Sequence, residues 1–421
     1  MTRYTSLQTL LKSSQRSLRG TLDPHSWMYA CVCLGTLWLC VSLLLSGCDG
    51  DDDLSTSMSA PSQERTAILN SIRQEVLVPL TQEFVELSQA LSVAVAERDL
   101  DESRIAWRNA MRSWQRLEML QVGPAGTSGA RLGGADLRDH IYSFPISNAC
   151  RVEQEWLAQE FDQDAWADQA PYQVKGLDAL EHLLFKEGTE CACPAQARIV
   201  RDNIWGTFVA DAEAFEQTRW TYIDVVVTDV ERRAQELSDA WRGDFGETFE
   251  NAESPFSAER DAVDQLFAAI FYIDLLVKDR KLGGPTGVHM SCLEETCPEM
   301  IEHNISGFGR AALIANLESF IAVLHGTINI EPNADSSGFG LSALLAQEGA
   351  TALGEQLEEL ARRAITQLEA SDLTLSEQLE RDSDALRQIH ASTREISELL
   401  KTQVVTTLNL SVPQEGAGDN D

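Results

Sequence analysis

Residues 105–120 read IAWRNAMRSWQRLEML, and they show the helical pattern that recurs along most of the chain. Trp107, Met111, Trp114 and Glu118 follow one another at spacings of four, three and four, so an α-helix places all four on one face. Strand-like alternation is nearly absent, and the sequence therefore predicts an all-α protein. The predicted helices cover residues 64–98, 101–121, 145–159, 172–186, 194–240, 257–281, 307–325, 349–370 and 374–408.

Two helical sets of similar size are separated by residues 242–257, RGDFGETFENAESPFS, which are rich in glycine, proline and acidic residues. We expect two packed helical bundles, an N-terminal one over residues 64–242 and a C-terminal one over residues 257–411. A polar break at residues 331–340 is interpreted as a long loop inside the later set. The tail, residues 412–421, is predicted to be disordered because it contains proline, glycine and acidic residues and few apolar ones.

The charge balance excludes one class of function. The chain has 421 residues, with 66 acidic and 33 basic side chains and a formal net charge of -33. Phosphate recognition requires a basic surface, so no nucleic acid is expected as a partner. The composition, 43% hydrophobic and 24% charged, is that of a globular protein, and the length suffices for about two or three domains.

The N-terminus has the layout of a secretory signal, because basic residues precede a largely uncharged stretch at residues 26–47. The stretch leads into LSGC at residues 45–48, which resembles a bacterial lipobox. We therefore expect a cleaved lipoprotein signal peptide, residues 1–47, and a lipid on Cys48 that holds the chain on a membrane of a Gram-negative-type cell envelope, facing the periplasm or the cell surface. Residues 48–63 are small and polar and predict a flexible tether. An uncleaved membrane anchor is the alternative.

Five cysteines follow the lipidation site, and an oxidising compartment permits disulfides between them. Cys292 and Cys297 are close enough in sequence to close a small loop. Cys150 can pair with either Cys191 or Cys193, which leaves one free thiol. A metal site at Cys191 and Cys193 is the competing interpretation, although no second cysteine pair with zinc-finger spacing accompanies them.

Familiar catalytic motifs are missing, including the zinc-binding HExxH helix, the phosphate-binding loop, the nucleophile elbow and the dinucleotide fingerprint. The candidate functional residues are instead carboxylates on apolar helix faces. In residues 176–185, GLDALEHLLF, helical spacing places Glu181 in the middle of an apolar face, and Asp178 and His182 lie near enough to converge with it. A buried carboxylate needs a hydrogen-bond network, a cation or a bound metal.

Two more carboxylates follow the same pattern. Glu118 lies on the tryptophan face, and Asp274 lies among the apolar residues of FAAIFYIDLLV, residues 267–277. Inward carboxylates in an all-helical protein are typical of metal sites in bundle cores, and structural ion pairs are the alternative. The remaining histidines show no ligand spacing and are interpreted as solvent-facing or hydrogen-bonded structural residues, namely His140, His289, His303, His325 and His390.

Four segments point to a known family. Trp114 and Glu118 form a Trp-x-x-x-Glu pattern that Gly123-Pro124 follows, residues 141–146 read IYSFPI, and residues 278–287 read KDRKLGGPTG. The fourth segment is GLDALEHLLF, described above. Together they resemble the imelysin family, also called the insulin-cleaving membrane protease family, which has Ser-Trp-Pro-Leu and Lys-Leu-Gly-x-Pro-x-Gly in the corresponding segments.

The family's signature is Gly-x-His-x-x-Glu, followed by an aromatic residue and Leu-Leu-Phe. Gly176 and Glu181 match this signature, whereas Asp178 stands at the position of its histidine and His182 at the neighbouring aromatic position. The resemblance implies two packed bundles with the signature near the groove between them, on a periplasmic or surface lipoprotein that takes part in iron acquisition. A metal-uptake protein is the partner that this implies.

The leading hypothesis is a non-enzymatic lipoprotein that binds iron, another divalent metal or a metal-bearing ligand in that groove. Asp178 and Glu181 are the expected ligands, and His182, Glu118 and Asp274 are expected to support them. A metallopeptidase is one alternative, but it needs a metal-bound water and a general base, and Asp178 in place of the histidine disfavours it. The other alternative is a degenerate scaffold that binds a protein.

Overall fold

The computed structural model describes residues 60–163, 165–331 and 338–411, apart from the side chains of residues 60–62. Within these ranges the regular structure is entirely helical, with no β-strand, as predicted. The α-helices are α1 (Ala60–Ile72), α2 (Val78–Ala96), α3 (Leu100–Glu118), α4 (Leu137–Ile141), α5 (Ala149–Ala158), α6 (Trp166–Gln169), α7 (Gly176–Phe185), α8 (Arg198–Arg201), α9 (Ile204–Val209), α10 (Ala212–Arg242), α11 (Asp244–Glu250), α12 (Glu259–Ile270), α13 (Gly309–His325), α14 (Leu341–Gln347), α15 (Thr351–Glu369), α16 (Leu375–Arg381), α17 (Ser383–Leu399) and α18 (Val405–Leu408).

Short segments of other helical types connect several of these helices. Single 3-10 turns occur at Gly123–Ala125, Glu160–Asp162, Tyr172–Val174 and Pro298–Met300. π-Helical segments occur at Arg73–Leu77, Ile273–Gly283 and Leu400–Val404. π-Helical turns are rare in proteins overall, and those that occur are often found at functional sites. The longest of the three segments, Ile273–Gly283, has 11 residues.

Several sequence predictions fall outside the described ranges. They are the signal peptide at residues 1–47, the lipidation site Cys48, most of the tether and the C-terminal tail. The end of the predicted tether is an exception, because α1 begins at Ala60 and residues 60–63 are therefore helical. None of the helices that the structure describes is long and apolar enough to cross a membrane.

Two sets of helices build the fold, which confirms the predicted pair of packed bundles. Helices α2, α3, α7 and α10 pack together in the N-terminal half. The π-helix Ile273–Gly283 packs with α13 and α17, and α15 packs with α13 and α17, in the C-terminal half. Helices α3 and α13 lie against each other and join the two sets. The predicted bundle limits, 64–242 and 257–411, remain predictions, because α1 packs against α11, α12 and α14 of the later half.

Three of the differences between the predicted helices and the structure have a local cause in the chain. Residues 194–240 form three helices, because Asn203 adopts a positive φ of 51° before α9 and Asp211 caps α10 with its side chain. Asp382 likewise caps α17 and separates it from α16. The predicted linker at residues 242–257 contains the seven-residue helix α11. In each case a local capping or turn residue ends one helix and begins the next.

The tryptophan face of α3 lies in the core, as its periodicity predicts. Trp107 and Trp114 are almost fully buried. Trp107 also donates a hydrogen bond of 2.8 Å from its Nε1 atom to the backbone oxygen of Leu177 on α7. This bond ties the first turn of α7, which carries the signature motif, to the centre of the N-terminal bundle.

Helix α7 begins at a glycine for a steric reason. Gly176 has a φ of +78°, a conformation that L-residues rarely adopt. A Cβ atom at this position would lie 2.6 Å from the backbone oxygen of Ile141. The absence of a side chain therefore lets the 141–146 segment approach the start of α7.

We predict that Gly176→Ala lowers the free energy of unfolding by about 2 kcal/mol more than Gly129→Ala does. Gly129 is a matched control, since its φ is +79° and a Cβ there would meet nothing within 4 Å. Both variants carry the cost of a left-handed alanine, about 1–2 kcal/mol, and only Gly176→Ala adds a clash. Urea-induced unfolding followed by circular dichroism measures the difference. Equal losses in the two variants would show that the close approach carries no energetic weight.

Candidate functional site

Glu181 on α7 is held by a loop from the C-terminal half of the chain. The loop, residues 301–308, precedes α13 and contains His303, whose Nδ1 atom lies 2.7 Å from Oε2 of Glu181. Ser306 donates to Oε1 from its hydroxyl at 2.7 Å and from its backbone N–H at 3.3 Å. All three side chains are buried. The loop therefore covers the signature glutamate with one imidazole and one hydroxyl.

The charges of Glu181 and His303 stabilise each other. Burial alone would raise the pKa of Glu181, but the charge of His303 and the hydrogen bonds from His303 and Ser306 outweigh burial and lower the pKa. Burial would likewise lower the pKa of His303, but Glu181 and Glu302 raise it. The site therefore favours an ionised carboxylate beside a protonated imidazole.

Asp178, which stands at the histidine position of the signature, has a different environment. Its Oδ2 atom accepts a hydrogen bond of 2.6 Å from the hydroxyl of Ser143, and its Oδ1 atom accepts one of 3.2 Å from the backbone N–H of Ser143. Burial raises the pKa of Asp178 to about 6, because the two hydrogen bonds offset the loss of water only in part. Asp178 is therefore a carboxylate that is costly to ionise in the folded chain.

Both carboxylates face a groove, which we define as the open cavity of about 1170 Å³ lined by residues of α3, α5 and α7 and of the segments 147–148, 186–192 and 301–306. A second cavity of about 370 Å³ lies beside it, lined by residues of the 142–147 and 299–303 segments. Asp178, Glu181 and His303 line both cavities. These three side chains thus form part of a wall that the two cavities share.

His182 lines the groove but does not join Asp178 and Glu181 at that wall. Its Nε2 atom lies 3.2 Å from Oε1 of Glu153, a fully buried carboxylate on α5. Glu153 also contacts Nζ of Lys186 at 3.0 Å and accepts a hydrogen bond of 2.6 Å from the backbone N–H of Ala192. The predicted convergence therefore holds for Asp178 and Glu181, whereas His182 is engaged by a residue that the sequence did not indicate.

The structure resolves the alternatives for the cysteines. Disulfides join Cys150 to Cys193 and Cys292 to Cys297, and Cys191 is a free thiol. Ligand atoms of Glu153, Cys191 and Cys193 lie within 4.8 Å of one another. Cys193 offers no thiolate while it is in a disulfide, and burial together with Glu153 raises the pKa of Cys191 to about 11. This cluster is therefore poorly prepared to bind a cation in the oxidised protein.

Glu118 is buried as predicted, but cations already neutralise it. Arg138 donates to its Oε1 atom from Nη2 at 2.7 Å and from Nε at 3.2 Å, and Nζ of Lys281 lies 3.4 Å from Oε2. Burial would raise the pKa of Glu118, but Lys281 and Arg138 lower it. Glu118 lines neither cavity. The structure places Glu118 in an ion-pair network with Arg138 and Lys281, and its role in supporting a ligand stays a prediction.

Asp274 is also an ion-pair residue. Its carboxylate oxygens lie 3.1 Å from Nζ of Lys278 and 2.9 Å from Nζ of Lys401. These contacts lie within the C-terminal bundle, and Asp274 lines neither cavity. The inward position was predicted correctly, but the structure does not bring Asp274 to the groove.

A buried polar network connects Glu118 to the groove. Nζ of Lys281 lies 2.9 Å from Oε1 of Glu302, and the hydroxyl of Tyr142 donates to the same oxygen at 2.7 Å. The Tyr142 hydroxyl also lies 3.2 Å from Nε2 of His303. The other oxygen of Glu302, Oε2, is buried without a hydrogen-bond partner. His303 thus links this network to Glu181, a role that the sequence analysis missed because a loop histidine has no periodic signal.

Comparisons with known proteins agree with this architecture. The family model described as Imelysin matches residues 74–403. The crystal structure of an imelysin-like protein from Psychrobacter arcticum 273-4 is similar, with a TM-score of 0.63 and 14% identity over 83% of this chain and 97% of that chain. So is that of a "putative iron-regulated protein A precursor" from Parabacteroides distasonis ATCC 8503, with a TM-score of 0.65 and 16% identity over 82% of this chain and 95% of that chain. At these identities the two structures show a shared fold alone. No curated protein matches the chain significantly.

We predict that Asp178→Asn stabilises the chain at pH 7 by up to about 3 kcal/mol and has little effect near pH 4. Asp178 has a folded-state pKa of about 6, above its value of about 3.9 in an unfolded chain. The wild type therefore loses stability as the pH rises through this interval, and asparagine cannot ionise. Unfolding curves between pH 4 and pH 7 test this. A stability difference that does not change with pH would contradict the raised pKa.

We also predict that Arg138→Gln lowers the free energy of unfolding by about 3 kcal/mol, because it removes the nearest cation from the fully buried Glu118. Arg112→Gln is the matched control, since the Arg112 side chain is 47% exposed and its ion pair with Glu318 crosses the surface between α3 and α13. The control should lose less than about 1 kcal/mol. Chemical denaturation of both variants makes the comparison, and equal losses would contradict the special position of Glu118.

Proposed function

Because the chain belongs to the imelysin family, we propose that it binds a metal ion, or a ligand that carries one, in the groove beside α7. The proposal depends mainly on one observation, which is that the buried carboxylates of Asp178 and Glu181 line the wall shared by the two cavities. Burial of a carboxylate is costly, and a site that keeps two of them beside a solvent-accessible groove is suited to a cation.

The groups at this wall fit a hard metal ion. Each oxygen of Asp178 and Glu181 has a protein hydrogen-bond donor. Both oxygens of Asp178 and Oε2 of Glu181 accept one such bond each, and each retains a lone pair that can bind a cation. Carboxylate oxygens suit hard cations. The protonated imidazole of His303 does not bind the ion and acts as a hydrogen-bond donor to Glu181. Asp178 at the histidine position makes the set richer in oxygen. The hydrogen bonds from Ser143 and Ser306 would hold the two carboxylates in place for the ion.

Iron is the metal that we propose. One of the similar structures carries the name of an iron-regulated protein A precursor, and that name supports iron for this chain only by analogy of fold. Metal binding would contribute charge neutralisation at the carboxylate wall. The chain's own residues would orient the carboxylates, through Ser143 and Ser306, and hold a proton on His303.

We further propose that the chain acts in metal acquisition as a lipoprotein, anchored through Cys48 in the cell envelope, and passes its ligand to a metal-uptake protein. The support for the anchor is the sequence LSGC at residues 45–48 after an apolar stretch. Mass spectrometry of the mature N-terminus tests it, because the wild type should begin at Cys48 and carry acyl chains on that residue, whereas Cys48→Ala should lack the lipid and retain residues 1–47. A wild-type chain that keeps residues 1–47, or that carries no lipid on Cys48, would contradict lipid anchoring at Cys48.

We predict that the detergent-solubilised protein binds iron saturably, near one equivalent, and that the double variant Asp178→Asn, Glu181→Gln binds it at least about tenfold more weakly. The substitutions remove the negative charges and preserve the shape of the side chains. Isothermal titration calorimetry with iron, zinc, manganese and calcium measures affinity and selectivity. Glu187→Gln is the control, since this exposed carboxylate also lines the groove and should contribute only nonspecific attraction.

The calorimetry, together with a cleavage assay, distinguishes the metal-binding protein from a metallopeptidase and from a protein-binding scaffold. Binding that is absent, or that is unchanged in the double variant, would overturn the metal site. Chelator-sensitive cleavage of a protein substrate that disappears in Glu181→Gln would support a metallopeptidase instead. A chain with neither metal binding nor cleavage would fit a protein-binding scaffold.

A further inference from the structure

The groove is also lined by a pair of arginines, whose charge is opposite to that of the carboxylate wall. Arg104 and Arg108 lie one turn apart on α3, and both line the groove. Their guanidinium carbons lie 5.5 Å and 4.6 Å from the ring centroid of Phe185, which belongs to α7. Two cations thus share one aromatic ring at the surface of a chain whose formal net charge is -33.

Arg108 is not neutralised by an acidic side chain. Its Nη2 atom donates a hydrogen bond of 2.8 Å to the backbone oxygen of Ser306, and its guanidinium group lies over the ring of Phe185. Among the described residues, no carboxylate oxygen lies within 4.0 Å of its guanidinium nitrogens. Arg104 is only weakly neutralised, because its ion pair spans 3.5 Å to Asp101, whose side chain is 89% exposed.

The surroundings of Arg108 show that its charge is held at some cost. Burial and the charge of Arg104 lower the pKa of Arg108, and the charge of Glu181 opposes them. Two like charges beside one ring repel each other, and an oxyanion between them would remove the repulsion. A guanidinium group presents its N–H donors in a planar fork that matches carboxylate and phosphate oxygens.

The other charged groups of the groove have partners or lie at its rim. Lys186 lines the groove but is 3.0 Å from Glu153, and Glu187 and Glu190 are exposed. The interior therefore presents a carboxylate wall, Asp178 and Glu181, beside an arginine pair that lacks a strong counter-ion. A single ligand that complements both is a metal ion carried by an oxyanion compound.

We propose that Arg104 and Arg108 bind the oxyanion groups of the groove's ligand, so that this ligand is a multivalent carboxylate or phosphate compound rather than a bare metal ion. The inference rests on the proposed function, because it takes the groove to be the binding site. The volume of the groove, about 1170 Å³, lies slightly above the range of about 300–1,000 Å³ that is usual for small-molecule pockets, and it far exceeds the space that one ion needs.

The test uses calorimetric titration of the full detergent-solubilised chain with citrate alone, with inorganic phosphate alone and with iron alone. We expect saturable binding of at least one of the two anions that weakens with added salt. The double variant Arg104→Gln, Arg108→Gln should lose at least about tenfold in affinity for that anion. Arg112→Gln, on the same helix but paired with Glu318, should bind the anion like the wild type.

Each outcome bears on the proposal. Binding of citrate but not phosphate identifies a carboxylate ligand, and the reverse identifies a phosphate ligand. The proposal is overturned if neither anion binds the wild type, or if the double variant binds it as tightly as the wild type does. Iron titration of the wild type and of Glu181→Gln shows separately whether the metal site exists, so the failure of this inference and the failure of the proposed function are distinguishable.

A folding check keeps the test valid. Far-ultraviolet circular dichroism should give the same helical content for all variants. If the double variant does not fold, Arg108→Lys replaces it, because lysine keeps the charge and loses the planar fork. Weaker anion binding by Arg108→Lys supports the proposal, and unchanged binding overturns it.

Discussion

The rest of the site depends on the contacts that satisfy the buried ammonium group of Lys281. It lies on the π-helix Ile273–Gly283, its side chain is 1% exposed, and its Nζ atom is 2.7 Å from the side-chain oxygen of Gln115, 2.9 Å from that of Asn316 and 2.9 Å from that of Glu302. A buried ammonium group without such partners would be strongly unfavourable, so α3, α13 and the 301–308 loop must assemble around it. The position of the loop then determines where His303 meets Glu181. The same charge that joins the two bundles therefore places the imidazole at the groove.

Helical spacing was sufficient to predict the carboxylates of the groove but not their partners. Asp178 and Glu181 face inward from α7, as their periodicity predicts, because side-chain direction in a helix is a local property. His303 lies 122 residues from Glu181 in sequence and has a positive φ of 56° within a loop. No periodicity governs such a residue, and its contact depends on how the two halves of the chain pack. The choice of Cys193 over Cys191 for the disulfide depends in the same way on packing that spacing does not reveal.

Glu118 and Asp274 show why an inward carboxylate is weak evidence for a metal. Both follow the same pattern as Glu181, and both are buried. Arg138 and Lys281 neutralise one, while Lys278 and Lys401 neutralise the other. Of these four cations, only Lys278 lies one turn from its carboxylate on the same helix. The other three come from other elements of the structure, so the pattern of one helix does not predict that they pair with the carboxylates. A pattern of this kind predicts that a charge is buried, and the surrounding elements decide whether a protein cation or a ligand compensates it.

Under the proposed function, the charge distribution of the groove gives it a selectivity that the acidic chain as a whole lacks. A net charge of -33 attracts any cation to the surface without discrimination. At the groove a bare cation is drawn to Asp178 and Glu181 but repelled by Arg104 and Arg108, and an anion alone meets the reverse. A compound that carries both a metal and oxyanion groups complements the carboxylates and the arginines together. The low dielectric around these partly buried groups increases the difference in binding energy between such a compound and either free ion. We therefore infer that the arginine pair favours a complexed metal over the free cations that the acidic surface attracts.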